Sequence, residues 1–403
     1  MSLRYECVDC GGIIESASAV YLCPRCSAEK RGDGFRRGVL SIVLEPPRGL
    51  RPGQPVDPLS FLPIPVRGRE GYPVGNTPLA APRRLRERHG FPNLFLKLDN
   101  LNPSGSLKDR ASLLVAEQAV LLGERRVALA STGNAGAAMA AAGAAYGLEV
   151  VLFVPASAPK AKLVQSLLCG ARVVPVLGTY DDAFALSLEY TAAYGGVNRN
   201  TAHNPFTIEG KKTVSLEIYN QMGCAVPDVV YVPVGDGVIL AGVHKGFADL
   251  VKAGLAERVP VLVAVQARGS NAVARSFREG REVSLERTST MADSLCVSSP
   301  VNGRLALRCI GESGGRAVEV DDAEIASAQR ELCREAGAFV EPASAAAWAG
   351  FLKDRDNVRR DARVAVLLTG TGFKDLRAAE GLVRMPEACP ATLAAAADLL
   401  SAT

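Results

Sequence analysis

The sequence predicts an α/β protein: doubly wound, parallel or mixed sheets in two domains with helices on both faces, preceded by a small cysteine-rich module. Three observations predict it. Short β-rich runs recur through the body and are continuously apolar, as expected of strands covered on both faces. Helix-like segments lie between these runs, and strand alternating with helix builds a mostly parallel sheet. Four of the ten cysteines fall within the first 26 residues, as two C-x-x-C pairs.

Composition narrows the function classes. A length of 403 residues suggests two or three domains, and 48% hydrophobic content excludes a disordered chain. The net charge of +4 is small for this size and calls for neither nucleic acid nor an anionic membrane. The first residues carry no apolar h-region, so no secretory signal is expected. The most apolar stretch, 127–159, is interrupted by Ser131, Thr132, Asn134, Glu149 and glycines, which is wrong for a membrane span. A cytoplasmic setting is the expectation, with the six scattered cysteines as buried thiols.

From the N-terminus, Cys7-Val8-Asp9-Cys10 is followed by Cys23-Pro24-Arg25-Cys26. Two such knuckles fit a zinc ribbon at 1–45, because Zn2+ prefers four tetrahedral thiolates. Gly11 and Gly12 allow the tight turn around a metal, and Val20-Tyr21-Leu22 reads as a ribbon strand entering the second knuckle. Two disulfides or a redox pair are the alternatives. Residues 1–51 hold eight Lys/Arg against six Asp/Glu, with no basic stripe interleaved with aromatics, so the ribbon reads as structural. A Pro-rich segment, 46–71, reads as a semi-rigid linker.

In the body, strands are expected at 94–98, 127–130, 150–154, 173–177, 229–234, 261–265 and 364–368. Helices are expected at 109–122, 135–146, 160–169, 180–194, 322–336 and 342–353. Ligands of open α/β sheets sit at strand carboxyl ends against helix N-termini. Three such ends are rich in glycine and small polar residues. After 94–98 comes Asn102-Pro103-Ser104-Gly105-Ser106-Leu107-Lys108-Asp109-Arg110. A lysine at a helix start is disfavoured as a cation and easier to deprotonate, as a Schiff-base lysine needs; a solvated surface lysine is the equal alternative. After 127–130 comes Ser131-Thr132-Gly133-Asn134, either an anion site or a plain helix cap. After 229–234 comes Gly235-Asp236-Gly237-Val238-Ile239, where glycines let N–H groups converge on a phosphate; a plain turn is the alternative.

The run Asn102 to Arg110 resembles the N-P-[TS]-G-S-[FV]-K-D-R signature of fold-type II pyridoxal-phosphate (PLP) enzymes. Ser131-Thr132-Gly133-Asn134 resembles their substrate-carboxylate loop, and Thr369-Gly370-Thr371-Gly372-Phe373-Lys374-Asp375 resembles the T-G-x-G-[LF]-K-D run of threonine synthases. Gly75-Asn76-Thr77-Pro78-Leu79, Asn204-Pro205-Phe206 through Thr213, and Glu341 through Ala346 are similar to segments of that family too. The resemblance spans about Tyr72 to Arg377, in order.

The resemblance implies a domain layout: a large PLP domain from 72–119 and 201–385, a small mobile domain at 120–200, and a C-terminal helix or tail at 386–403. It implies that Lys108 carries the cofactor and works as acid and base at Cα. Asn134 would bond the cofactor's 3′-oxygen, Gly235, Asp236, Gly237, Val238 and Ile239 would wrap its phosphate, and Thr369 would meet the pyridine nitrogen. A neutral hydroxyl partner there favours elimination and replacement chemistry. Ser131, Thr132, Gly133 and Asn134 would hold the substrate carboxylate.

Thr207 stands where the family carries an arginine for the substrate phosphate, Ala135 replaces a hydroxyl, and Gly235–Ile239 departs from G-N-x-G-N. Lys211, Lys212, His203 and Arg268 are candidates to compensate, each weighed against an ordinary surface charge. The expected reaction is threonine synthase-like: O-phospho-L-homoserine plus water to L-threonine plus phosphate. The alternatives are β-replacement on O-phosphoserine or O-acetylserine, an amino-acid ammonia-lyase, and a non-catalytic zinc-ribbon protein. A homodimer is expected by analogy with the fold type, alongside a small-molecule amino-acid substrate.

Overall fold

The computed structural model describes residues 2–29, 36–68 and 70–401. Small parts of the expected ribbon, linker and tail, at 1, 30–35, 69 and 402–403, lie outside the described residues.

The N-terminal module is a three-stranded antiparallel sheet of order β2-β1-β3, with β1 at Leu3–Cys7, β2 at Ile13–Ser16 and β3 at Leu40–Val43. The second knuckle enters a short helix, α1 (Pro24–Ala28), with proline at its first position. Val20–Leu22 is not a strand: only Leu22 makes a bridge, to Val39. The proline that starts α1 takes the chain out of extended pairing after Cys23.

The linker crosses the body surface. Asn220 brackets Val56, accepting its N–H at 2.9 Å and donating to its carbonyl at 2.7 Å. A single 3-10 turn follows at Pro58–Phe61.

Two sheets make the body. The larger has the order β12-β11-β10-β13-β5-β4. It comprises β4 (Leu79–Ala80), β5 (Leu94–Leu98), β10 (Val229–Pro233), β11 (Val261–Ala267), β12 (Arg316–Val320) and β13 (Val364–Leu368). All neighbours are parallel except the β4–β5 pair. The smaller sheet is wholly parallel, of order β8-β7-β6-β9, with β6 at Arg126–Ala130, β7 at Glu149–Pro155, β8 at Arg172–Val176 and β9 at Val197–Asn198.

Nine helices flank the sheets between β4 and β12: α2 (Arg83–His89), α3 (Lys108–Leu121), α4 (Asn134–Tyr146), α5 (Lys160–Leu168), α6 (Tyr180–Tyr194), α7 (Phe206–Gln221), α8 (Val238–Lys252), α9 (Ala272–Glu279) and α10 (Gly303–Glu312). Then come α11 (Asp322–Ala336), α12 (Pro342–Asp354), α13 (Leu376–Glu380) and an exposed α14 (Leu393–Ser401). Local signals set several bounds. Capping boxes at Thr179/Asp182 and Asp321/Glu324 open α6 and α11, and left-handed Gly337 closes α11.

Every residue of β10 and β13 is buried, which is why both read as unbroken apolar runs. Each buried Val or Leu there contributes about 1.5–3 kcal/mol of burial. The chain leaves the larger sheet after β5 through α3 and returns from the smaller one through α7. These helices touch at glycine: a Cβ on Gly210 would lie 2.2 Å from the Arg110 carbonyl, and one on Gly242 of α8 would lie 2.7 Å from Lys211 Cβ. That close approach brings the N-termini of α3, α7 and α8 together.

Beneath them a buried charge network locks α3 in place. Arg110 donates to both Asp99 oxygens at 2.7 and 2.8 Å and to both Glu217 oxygens at 2.6 and 2.7 Å; Lys97 reaches Glu217 at 2.7 Å. Burial alone would raise Glu217, but Arg110 and Lys97 outweigh it and hold its carboxyl at about 2.

Candidate active site

The carboxyl ends of β5, β13 and β10 are neighbours in the larger sheet, and that of β6 faces them from the smaller one. Each carries one of the glycine-rich or small-polar segments. The Leu107 N–H donates to the Thr369 carbonyl at 2.8 Å, and the Thr371 N–H to the Gly105 carbonyl at 3.0 Å, so the Lys108 loop is sewn to the β13 loop. The Glu341 N–H donates to the Gly370 carbonyl at 3.0 Å, and Asn134 Nδ2 donates to the Glu341 carboxylate at 2.9 and 3.0 Å. Asn134 also lies 3.4 Å from Ser294 Oγ, and a Cβ on Gly235 would lie 3.1 Å from the Ser294 carbonyl. Thus Lys108, Asn134, Gly235 and Thr369 share one site.

Lys108 opens α3 and keeps partial access to solvent. Loss of hydration pulls its ammonium pKa down; Asp236 and Glu341 oppose that, and Arg199 adds to it. The free amine is therefore easier to reach than in water. Glu341 goes the other way: burial raises its pKa, and the Asn134 bonds with the nearby Lys108 charge only partly offset it.

Ser131, Thr132 and Gly133 are half-buried at the start of α4. Ser131 Oγ accepts from the Gly133 and Gly136 N–H groups at 3.3 and 3.0 Å. Gly237 is the N-cap of α8, in the left-handed region at φ 94°, and a Cβ there would meet Ala306 and the Asn302 carbonyl at 2.9 Å. The Asp236 carboxylate turns back onto the Val238 N–H at 3.0 Å. Val238 is buried and Ile239 half-buried. Thr369 is buried with its hydroxyl 3.2 Å from Ser344 Oγ, which also accepts the Thr369 and Gly370 N–H groups at 2.9 and 2.7 Å.

Thr207 is not open to the site: it is fully buried and its hydroxyl donates to the Asn204 carbonyl at 2.7 Å. Of the four candidates to compensate, Lys212 is ion-paired to Glu209 and Asp249, both at 2.7 Å, and Arg268 is exposed beside Asp321. His203 stacks on Tyr21 of the ribbon with centroids 4.9 Å apart. Lys211 is fully buried and near enough to Lys108 for the two charges to repel.

A cleft of about 410 Å³ adjoins the site between α5 and the larger sheet, lined in part by Asn134, Lys162, Gln165, Ser294, Glu341 and Lys374. Lys108 does not line it; the Glu341 carboxylate joins the two. Lys162–Asp293 at 2.7 Å and Lys374–Gln165 bridge this cleft. Sequence reasoning noted Glu341 only as part of a motif and missed Ser294 and Arg199. A charged residue in the polar run Asn198-Arg199-Asn200-Thr201 was the available signal for Arg199.

The donor set fits pyridoxal phosphate. An amine of lowered pKa, a glycine cradle that admits no Cβ at a helix N-terminus, and a neutral hydroxyl stand at one site. At the ribbon, the Sγ atoms of Cys7, Cys10, Cys23 and Cys26 all lie within 4.8 Å of one another. Cys7–Cys26 and Cys10–Cys23 are 3.8 and 4.0 Å apart, close to the edge of about 3.8 Å that tetrahedral zinc–thiolate bonds of about 2.3 Å require.

Comparison with known proteins shows the family. The family of pyridoxal-phosphate-dependent enzymes matches residues 71–370. A threonine synthase of Methanosarcina acetivorans is 34% identical over 380 residues, 92% of each chain. One of Methanocaldococcus jannaschii is 36% identical over 310 residues, 76% of each chain. Among solved structures, an L-serine ammonia-lyase from Rhizomucor miehei superposes with a TM-score of 0.67 at 25% identity, over 77% of this chain and 98% of that one. Maize serine racemase superposes at 0.66 and 22% identity, over 78% and 95%, a likeness of fold. No helix among the described residues is long and apolar enough to cross a membrane. With the family model matched over residues 71–370 and relatives of 34 and 36% identity covered over 92 and 76% of their length, the chain belongs to the pyridoxal-phosphate-dependent enzymes, as a threonine synthase-like lyase of fold type II.

Proposed function

We propose that the chain converts O-phospho-L-homoserine and water to L-threonine and inorganic phosphate. The observation that carries this reading is the convergence of Lys108, Asn134, Gly235 and Thr369 at four strand ends in a chain that is 34% identical, over 92% of its length, to a threonine synthase. Those relatives are enzymes, which sets aside the non-catalytic alternative.

Bound pyridoxal phosphate would supply an electron sink conjugated to the substrate's Cα, so that a proton can leave that carbon. Lys108 would hold it covalently, remove the Cα proton as a free amine, and later return one. Gly235 to Ile239, at the start of α8, would grip its phosphate through backbone N–H groups. Asn134 would donate to its 3′-oxygen, kept in place by Glu341. Thr369, fixed by Ser344, would face the ring nitrogen with a neutral hydroxyl. Ser131, Thr132, Gly133 and Asn134 would hold the substrate carboxylate at the start of α4. The small domain, 120–200, would close over the cleft bridged by Lys162–Asp293 and Lys374–Gln165 and exclude water until the phosphate has left and water is needed.

In the same reading the four ribbon thiolates hold a structural zinc, the setting is cytoplasmic so that thiols stay reduced, and the chain works as a homodimer. The test is a panel of O-phosphohomoserine, O-phosphoserine, O-acetylserine, serine and threonine, scored for phosphate, ammonia and amino-acid products. Threonine and phosphate in equal amounts from O-phosphohomoserine alone is the expected result. Ammonia from serine or threonine as the main product would replace this reading with an ammonia-lyase.

A further inference from the structure

Two buried cations at the edge of the site have no carboxylate of their own. Arg199 follows β9 and extends its pairing, its N–H donating to the Ala128 carbonyl of β6 at 2.9 Å. Its side chain is fully buried. Nη1 donates to Thr201 Oγ1 at 2.7 Å and Nε to Ser112 Oγ at 3.4 Å, one helical turn from Lys108 on α3. Nη2 is buried with no hydrogen-bond partner. Lys211 is fully buried too; its Nζ turns back along α7 to the Thr207 carbonyl at 2.9 Å.

Three other buried cations of the body behave differently. Lys97, Arg110 and Lys212 each meet a carboxylate at 2.6–2.7 Å. Removing a cation from water is costly unless an anion offsets it. For Arg199 and Lys211 the protein supplies hydroxyls and a carbonyl, with Asp236 as a carboxylate whose charge reaches both. Burial pulls Arg199 down to about 10 and Lys211 well below a free lysine, and the charges of Lys108 and Arg199 depress Lys211 further. A corner so built is short of negative charge until something brings it.

Three anionic groups would enter the site under the function proposed above. The cofactor phosphate has the glycine cradle at the start of α8, and the substrate carboxylate has the start of α4. We propose that Arg199 and Lys211 form the subsite for the phosphate of the substrate, next to the Lys108 amine. The inference rests on that reading of the substrate as a phosphate ester. It assigns the choice of a phosphate ester over an uncharged side chain, such as an acetyl ester or a hydroxyl, to a guanidinium with a free Nη2 and a lysine whose partner is one carbonyl. Asp236 opposes a phosphate at close range, so both cations are needed to favour it.

The probe is inorganic phosphate titrated into the holoenzyme and followed by calorimetry and by the cofactor absorbance. The wild-type enzyme should bind it. Arg199→Gln and Lys211→Gln should each weaken that binding about 10- to 100-fold, the weight of one charge-assisted contact, and raise KM for O-phosphohomoserine by a like factor. Cofactor content should stay at one per chain in both. Phosphate binding unchanged in the variants overturns the inference, as does loss of bound cofactor in both, which would place the cations on the cofactor phosphate. Should Arg199→Gln fail to fold, Lys211→Gln decides alone. Phosphate binding lost in the variants of an enzyme that makes no threonine would keep the subsite and remove the proposed reaction.

Discussion

Asn134 Nδ2 sits 2.9 Å from Glu341 Oε1 and 3.0 Å from Oε2, joining the first residue of α4 to the N-cap of α12 across 207 positions of sequence. This amide helps tie the smaller sheet to the larger. It also leaves little freedom nearby, since a Cβ on Gly370 would lie 2.3 Å from Glu341 Oε1.

Removing Asn134 should therefore strand a buried carboxylate. Asn134→Ala is expected to cost about 1–3 kcal/mol, read as a fall in Tm of the cofactor-free protein near pH 7.5. Adding Glu341→Gln in the same chain should recover most of it, because the stranded charge is gone. No recovery in the double variant would show that the pair is not coupled.

Lys108→Met should abolish the visible absorbance of bound cofactor and lower turnover on the order of 10⁴-fold. Its stability effect is less obvious. The folded pKa of Lys108 lies below 10.5, so the unfolded chain binds more protons between the two values and stability rises with pH across that window. The methionine variant, lacking that charge, should melt higher than the cofactor-free wild type at pH 7, with the gap narrowing as pH climbs toward 10.5. An unchanged visible spectrum would remove Lys108 from its proposed role.

Acid stability should report the Arg110 network. Glu217 is depressed from 4.5 to about 2, so its contribution is present above 4.5 and is lost as pH falls toward 2. Arg110→Ala would leave Asp99 buried without its ion-pair partner and Glu217 with Lys97 alone, at a cost of about 3–5 kcal/mol. Denaturant unfolding at pH 7 and across the acid limb checks both. An acid limb of the same shape in the variant would mean that another group governs it.

Metal analysis should give one zinc per chain, and Cys10→Ser should lower it. Removing zinc should also loosen the body. Tyr21 accepts the Asn198 N–H at 3.0 Å, stacks on His203, and so pins the segment that carries Arg199. Arg304 and Arg308 fasten the ribbon to α10 through Asp9 and the Val8 carbonyl, both at 2.7 Å. Hydrogen exchange at 197–204 should quicken on chelation. Exchange there that ignores chelation would separate the ribbon from the site.

Local chemistry determined much of this protein from sequence alone. Strands at 94–98 and 364–368 and helices at 180–194 and 322–336 have the bounds their residues predict, because apolar runs, capping boxes and a closing glycine act within a few residues. The cysteine pairs and the glycine-rich strand ends were legible for the same reason. The short strand expected at Val20–Leu22 was not formed, since its neighbour Pro24 starts a helix. Tertiary structure alone decided which strand ends lie side by side, that Asn134 answers to Glu341, that Thr207 turns away, and that Arg199 and Lys211 are buried without a carboxylate. Those facts depend on packing between segments far apart in the chain, at glycine contacts and sheet orders that no local pattern encodes.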